Sequence, residues 1–301
     1  MNRKSIQKDI DHIENLFWNL KYKTEVLLAS PNTKRLSRNK NLKELHYGET
    51  CFILGNGPSL KLETRLPELS EYTTFSVNQF YRSELFGIIK PKYHVMIDPL
   101  FFSLSKDNPD ENDTLRRIVE IADDPSINLI LPVEAHEYIT KNISTSDRCI
   151  FVKGRYKMCD KYASGFNMAG YLPASNNVVL TAIYCAIYMG FKRIVILGND
   201  MTGLMDNYVK RSPKITEKFT HIYEYTEQEK NRMRKVHATH NNEAMLEGFT
   251  QMFKDYRRIN EYCMANNIQI LNASQETALD NIPFCNLNDI LDGLKEINHE
   301  K

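Results

Sequence analysis

From Glu49 onward the chain alternates short apolar, β-branched runs with longer stretches of helical periodicity, and this alternation limits the fold more than any other feature. Such a pattern is typical of βαβ units, in which strands run parallel and helices cover the sheet. We therefore predict an α/β fold with a Rossmann-like, doubly wound, mainly parallel sheet. The predicted strands span residues 51–54, 73–77, 93–97, 127–131, 149–152, 193–197 and 268–271, and the predicted helices 111–122, 133–141, 177–189 and 241–265.

Three segments fall outside this pattern. Residues 3–28 carry apolar side chains at spacings of three and four, which predicts an amphipathic helix. The basic stretch 31–43 predicts an exposed linker, with a weak contact to an anionic membrane surface as the alternative. Residues 201–236 are polar and rich in tyrosine and charge, as expected of a lid-like insertion. The predicted domains are thus an N-terminal helix with basic linker (1–48) and a nucleotide-binding catalytic domain (49–301).

Composition excludes several classes of function. Lys and Arg number 39 against 38 Asp and Glu, so the formal charge of +1 creates no general attraction for nucleic acid. The sequence has neither a signal peptide nor an apolar run of bilayer length, which predicts a cytoplasmic protein. Peripheral contact with the inner face of the membrane and homo-oligomer formation stay open. Six scattered cysteines without a Cys-x-x-Cys pair predict reduced, structural thiols.

The first predicted strand runs directly into a glycine-containing loop. Glycines allow backbone N–H groups to approach a ligand, and a following helix would add a positive dipole end, so the loop is a candidate phosphate site. A plain tight turn is the alternative. Leu60 stands where a dinucleotide fingerprint has its third glycine, and no Gly-Lys-Ser/Thr of a Walker loop is present. The loop residues are Gly55, Asn56, Gly57, Pro58 and Ser59.

Polar residues also follow three other predicted strands. Amides there could bind a base or sugar, and carboxylates could hold Mg²⁺ or orient a hydroxyl, although capping and turn formation are the alternatives for each residue alone. Ligands of open α/β sheets bind at the carboxyl ends of strands, so four polar strand ends together favour a binding site. The candidates are Asn78 and Gln79, then Asp98, then Gly198, Asn199 and Asp200.

Two further clusters lie at predicted helix starts. Ser175, Asn176 and Asn177 precede an apolar helix, where amides and free N–H groups suit an anion, although simple capping explains them equally well. His237 and His240 precede the long helix at 241–265. Such a pair can share a metal or supply a general base, and we favour the base because no third ligand is nearby in sequence. Surface histidines remain the alternative.

Taken in order, residues 53–61, 78–81, 98–102 and 182–200 resemble the bacterial CMP-sialic-acid-dependent sialyltransferases. The run 270–284 and the Asp98-Pro99 pair are more similar to a sister family, which contains 6-hydroxymethylpterin diphosphokinase-like proteins and motility accessory factors. Both families share the Rossmann-like fold. The resemblance implies a transferase, and it implies that His237 is the base that deprotonates the acceptor.

The first hypothesis that follows is a glycosyltransferase of surface polysaccharide synthesis, which moves a nonulosonate-type sugar from a CMP-activated donor to a glycan acceptor. The glycine loop and strand ends would hold the nucleotide, Ser175 to Asn177 and Tyr208 the departing phosphate, with His240 and Asp200 as further catalytic candidates. This chemistry requires no metal. The alternative is a diphosphokinase that uses ATP with Mg²⁺ on Asp98 and Asp200, and a third is a non-catalytic nucleotide-binding scaffold.

Overall fold

The computed structural model describes residues 3–28, 30–104, 106–144, 146–156, 158, 166–202, 221–224, 227, 230 and 242–299. The helices are α1 (Arg3–Leu27), α2 (Pro31–Ser37), α3 (Glu84–Ile89), α4 (Pro109–Asp123), α5 (His136–Asn142), α6 (Val178–Tyr188), α7 (Asn242–Ala265) and α8 (Leu287–His299). The strands are β1 (Thr50–Leu54), β2 (Thr73–Val77), β3 (Tyr93–Val95), β4 (Asn128–Pro132), β5 (Ile150–Val152), β6 (Gly154–Tyr156), β7 (Leu172–Pro173), β8 (Arg193–Leu197) and β9 (Gln269–Asn272). The α/β class and the mainly parallel strand pairing are those predicted, and every predicted strand is present.

One compact unit combines Met1–Glu49 with Pro91–Lys192. Within it β3, β4 and β5 pair in parallel, with Val95 opposite Ile130 and Ile130 opposite Ile150. Helix α6 is buried along its whole length after the first residue. An apolar helix of this kind belongs in a protein interior, which agrees with its lack of a polar face.

The second compact unit combines Thr50–Lys90 with Arg193–Lys301. Its strands pair in parallel in the order β2, β1, β8, β9, and Phe52 of β1 lies opposite both Thr74 and Val195. Each central strand is buried and apolar, as expected for a parallel sheet covered on both faces. The order brings the carboxyl ends of β2, β1 and β8 side by side.

The basic stretch expected to be an exposed linker is instead folded. It forms α2 and a 3₁₀ turn (Arg38–Leu42), and Ser30 caps α2 by accepting a hydrogen bond from the Thr33 N–H. Leu36 is fully buried, and Asn39 is buried with its amide donating to the backbone oxygens of two other segments. The buried residues Leu36 and Asn39 stand among basic residues. The high positive charge of the stretch therefore made a packed element look like an exposed linker.

The predicted amphipathic helix is present as α1. Its packed face carries Trp18, whose ring centroid lies 5.6 Å from the Arg155 guanidinium, and Glu25, which accepts from the Tyr171 hydroxyl. The apolar stripe from Ile6 to Leu20 is exposed. Among the described residues, no helix is both long and apolar enough to cross a bilayer.

Candidate functional site

In the second unit, the loops that follow β1 and β8 are bonded directly to each other. The Gly55 N–H donates to the Leu197 oxygen and the Gly57 N–H to the Gly198 oxygen, both at 2.8 Å. A Cβ on Gly55 would lie 2.2 Å from the Gly198 oxygen, which only a glycine avoids. The glycines therefore permit close approach of two loops, and these two N–H groups are already engaged within the protein.

Asp200 holds the glycine loop in place. Its carboxylate accepts from the Ser59 N–H at 2.9 Å and from the Ser59 hydroxyl at 2.5 Å, and the residue is buried. A Cβ on Gly57 would lie 2.3 Å from this carboxylate, so glycine is required here by packing and not by an unusual φ, which is −65°. Burial raises the pKa of Asp200, and the hydrogen bonds from Ser59 oppose that rise. The geometry indicates a positioning role for Asp200.

Asn199 is tied into the same unit. It is buried, its side-chain amide donates to the Tyr256 hydroxyl at 2.8 Å, and its N–H donates to the Ser274 hydroxyl. Its backbone oxygen accepts from Thr277. The turn from Gly198, whose φ is +63°, to Asp200 is thus a rigid support for the loop after β1.

Two asparagine oxygens are buried beside this support without partners among the residues that the structure describes. They are Oδ1 of Asn56 and Oδ1 of Asn78. The amide nitrogen of Asn56 donates to the Val77 oxygen, which fixes the orientation of its side chain. Leu54 lies opposite Ser76 in the β1–β2 register, so the two asparagines follow equivalent positions on neighbouring strands. Buried acceptors of this kind call for a donor, because an unpaired polar atom is costly.

The described part of the lid-like insertion contacts these residues. The Ile222 N–H donates to the backbone oxygen of Asn56 at 2.9 Å, and the Tyr223 hydroxyl donates to Oε1 of Gln79 at 2.8 Å. Arg82 lies 4.9 Å above the Tyr223 ring and donates to the Glu224 oxygen. The sequence reasoning missed Arg82 and Tyr223, although the tyrosine-rich composition of the insertion was the signal that could have found the latter.

In the first unit, the predicted residues mostly cap local structure. Asp98 accepts from the Leu100 N–H at 2.9 Å and begins a 3₁₀ turn, and Asn177 accepts from the Val179 N–H at 2.8 Å and caps α6. Ser175 shares a hydrogen bond with Thr181, and Asn176 is exposed.

A cavity of about 450 Å³ in the first unit is lined by the ends of β4, β5 and β7. Ile97 and Pro99, on either side of Asp98, line it together with Ser175 and Thr181. The structure therefore brings Ser175 and the segment around Asp98 to one cavity, as a binding site at strand ends requires.

Three predicted residues, Tyr208, His237 and His240, lie outside the described residues, and their roles stay predictions. Within the described ranges, no group of three or more His, Cys, Asp or Glu side chains is placed to hold a metal ion. The described cysteines are free thiols, and burial raises the pKa of both Cys149 and Cys285 to about 11.

Comparison with known proteins finds one family and several similar structures. A family described as 6-hydroxymethylpterin diphosphokinase MptE-like matches residues 19–206. The MAf glycosyltransferase from Magnetospirillum magneticum AMB-1 is 13% identical with a TM-score of 0.44, over 89% of this chain but only 41% of its own. The sialyltransferase CstII from Campylobacter jejuni, solved with the substrate analogue CMP-3FNeuAc, is 17% identical with a TM-score of 0.44, over 80% of this chain and 88% of its own. Among curated proteins, no sequence matches this chain.

Proposed function

The chain belongs to the family of 6-hydroxymethylpterin diphosphokinase MptE-like proteins, and we propose that it is a glycosyltransferase that moves a nonulosonate-type sugar from a CMP-activated donor to a glycan acceptor. Two features support this choice. The pair of buried amide oxygens at the ends of β1 and β2 supports a nucleotide substrate. The engagement of the carboxylate that a diphosphokinase would offer to Mg²⁺ favours this transfer over the one for which the family is named.

The buried amide oxygens carry the proposal. Oδ1 of Asn56 and Oδ1 of Asn78 have no partner among the described residues, and both can only accept hydrogen bonds. The phosphate groups of a nucleotide are acceptors too, whereas the base amino group and the ribose hydroxyls, which CMP and ATP both carry, are donors. We therefore assign these two side chains to the nucleoside part of the donor, which refines the expectation that the glycine loop cradles phosphate.

Asp200 is already engaged in a structural role. Both of its carboxylate oxygens accept hydrogen bonds from Ser59, so a cation would have to share each oxygen with a contact that holds the loop. Asp98 likewise uses one oxygen to cap a turn. A transfer that needs preorganised hydrogen-bond donors and no bridging metal is better matched to these residues.

In the proposed reaction, an acceptor hydroxyl attacks the anomeric carbon of the donor sugar, and the bond from that carbon to the CMP phosphate oxygen breaks. The hydroxyl proton passes to His237, and the developing charge on the phosphate is met by Ser175 to Asn177 and by Tyr208. A base of this type contributes about 10² to 10⁴ in rate. We expect His237→Ala to lower turnover by that order with CMP affinity nearly unchanged, and His240→Ala to cost less. Equal and small losses would remove both histidines from catalysis.

A second candidate function is favoured by the description of the matching family itself. A 6-hydroxymethylpterin diphosphokinase would transfer a diphosphate from ATP to a pterin alcohol. This activity needs a Mg²⁺ ion that bridges the phosphates. It predicts that ATP binds only when Mg²⁺ is present, whereas the glycosyltransferase predicts that CMP binds without it.

A thermal-shift series with CMP, CDP, UDP, ATP and GTP, each with and without Mg²⁺, separates the two functions. A ligand at one hundred times its Kd stabilises the native state by about 2.7 kcal/mol. We expect stabilisation by CMP in the absence of Mg²⁺, and its loss in Asn56→Ala and Asn78→Ala. Asn288→Ala, at an exposed asparagine of the same unit, is the matched control. Stabilisation by ATP with Mg²⁺ alone would replace the proposal with the diphosphokinase.

A further inference from the structure

The first unit contains a second cavity, of about 490 Å³, whose lining is strongly basic. Lys34, Arg35, Arg38 and Arg148 line it, and Asp147 is the one acidic residue among the described lining residues. None of these residues belongs to the candidate nucleotide site. Ligand binding in this cavity is therefore independent of the proposed function.

The positive charge of the cavity is mostly uncompensated. Arg38 approaches Asp147 only at 3.9 Å, and both side chains are largely exposed, so this pair is weak. Arg35 donates to the neutral side chain of Asn32 at 3.2 Å, and Lys34 forms no ion pair with a described residue. Arg148 donates to two backbone oxygens at the end of α4, which fixes the guanidinium without neutralising it. Four cations thus face one exposed carboxylate.

The basic side chains sit on a rigid support. Leu36, between Arg35 and Arg38, is fully buried, and Asn39 donates to the backbone oxygens of Phe151 and Met168 at 2.7 and 2.8 Å. These anchors fix the spacing of the neighbouring cations. A mobile surface loop would have to order its backbone on binding, whereas here the backbone that carries the cations is already ordered.

The cavity is also lined by a histidine that lies in the positive potential of its arginines. His136 lines the cavity, and its ring centroid lies 5.2 Å from that of Phe151. Burial lowers the pKa of His136, and the charges of Arg35 and Arg38 lower it further. The imidazole is therefore neutral at physiological pH, when it can donate one N–H to a ligand.

We propose that this cavity binds a phosphate ester or diphosphate group. Guanidinium groups bind phosphate oxygens in bidentate pairs, and three of them with one lysine match the charge of a diphosphate. The volume is sufficient for a diphosphate with part of the group that carries it. The same chemistry is offered by a soluble phosphorylated metabolite and by the headgroup of an anionic lipid.

Binding of inorganic pyrophosphate to the full chain, followed by isothermal titration calorimetry, tests the proposal. We expect the double variant Arg35→Gln/Arg38→Gln to weaken binding at least tenfold. The double variant Arg116→Gln/Arg117→Gln is the matched control, because these arginines lie on α4 and are exposed and paired with acidic residues. Unchanged melting temperatures would show that both variants are folded. Equal affinity in the two double variants would overturn the proposal.

Co-flotation with vesicles of phosphatidylglycerol and phosphatidylcholine distinguishes the two sources of the ligand. Pyrophosphate binding without flotation indicates a soluble phosphate ester. Flotation that requires phosphatidylglycerol, and that is lost in Arg35→Gln/Arg38→Gln but kept in the control, indicates a lipid headgroup. Failure of the wild-type chain to bind either probe would refute the site.

Discussion

Substitution of Asp200 tests whether this residue positions the glycine loop or takes part in the chemical step. In Asp200→Asn, the amide oxygen can still accept from the Ser59 N–H, and the amide nitrogen can donate to the Ser59 hydroxyl. The variant also lacks the negative charge whose burial raises the pKa of the wild-type carboxyl. We expect a stability within about 1 kcal/mol of wild type and unchanged CMP binding, because the contacts are replaced one for one.

Asp200→Ala should behave differently. It leaves the N–H and the hydroxyl of Ser59 without their buried acceptor, at about 1–3 kcal/mol for each group. A total near 3 kcal/mol corresponds to a fall in melting temperature of roughly 6–12 °C, taking about 2–4 °C per kcal/mol for a domain of 150–250 residues. CMP affinity should fall with it, because the loop that carries Asn56 is no longer held.

The pH dependence of stability gives a further check, because it tests the direction of the Asp200 pKa shift. A carboxyl whose pKa is raised by folding destabilises the native state increasingly as pH rises from its ordinary pKa to the raised one. The stability of Asp200→Asn relative to wild type should therefore increase as pH rises above 3.8, the ordinary pKa, and level off above the raised pKa of the folded protein. Thermal unfolding and CMP titration measure both effects. If Asp200→Asn is stable and binds CMP but has lost transfer activity, Asp200 is catalytic and the positioning argument is wrong.

Four other substitutions probe the supporting structure. Burial raises the pKa of Asp255 to about 6. Between pH 4 and pH 7 the free energy of unfolding of the wild type should therefore fall by on the order of 3 kcal/mol, and that of Asp255→Asn should not. Urea titrations at both pH values measure this difference, and a wild type that is more stable at pH 7 would contradict it. Gly55→Ala should cost about 3 kcal/mol or more, because its Cβ meets a backbone oxygen. Gly87→Ala in α3, with nothing within 4 Å of its Cβ, should gain about 0.5–1 kcal/mol, and equal melting temperatures would refute this contrast. Tyr256→Phe leaves the buried amide of Asn199 without its acceptor and should cost about 1–3 kcal/mol in denaturant unfolding; no loss would mean that the hydrogen bond is dispensable.

Periodicity predicted the framework because the parallel strands and long helices are set by local hydrophobic pattern. The strands and the four core helices lie within three residues of their predicted bounds. The polar strand ends at Asn56 and Asn78 were found for the same reason, since a βαβ pattern shows where each strand must stop. The family expectation was confirmed as well.

Long-range contacts could not be predicted from the same pattern. Asp200 was identified as a metal or catalytic carboxylate, but its partner Ser59 lies 141 positions away in sequence. Gly55 was predicted to allow close approach of a ligand. In the structure it allows close approach of the loop that follows β8. The basic stretch at 31–43 was misread as a linker because the anchors Leu36 and Asn39 contribute too little hydrophobicity to reveal a packed element.

Neither compact unit is one continuous stretch of chain, and this governs the order in which the protein can be made. Strand β1 is complete at Leu54, but its partner β8 begins only at Arg193. At about 5–20 residues per second, a ribosome takes roughly 7–28 s to synthesise the intervening segment. During that time β1, one of the most apolar strands, lacks one of its two neighbours. The nascent chain therefore passes through a period in which an unpaired strand edge is open to chaperones, and synonymous codon changes between residues 54 and 193 should alter soluble yield without changing the protein.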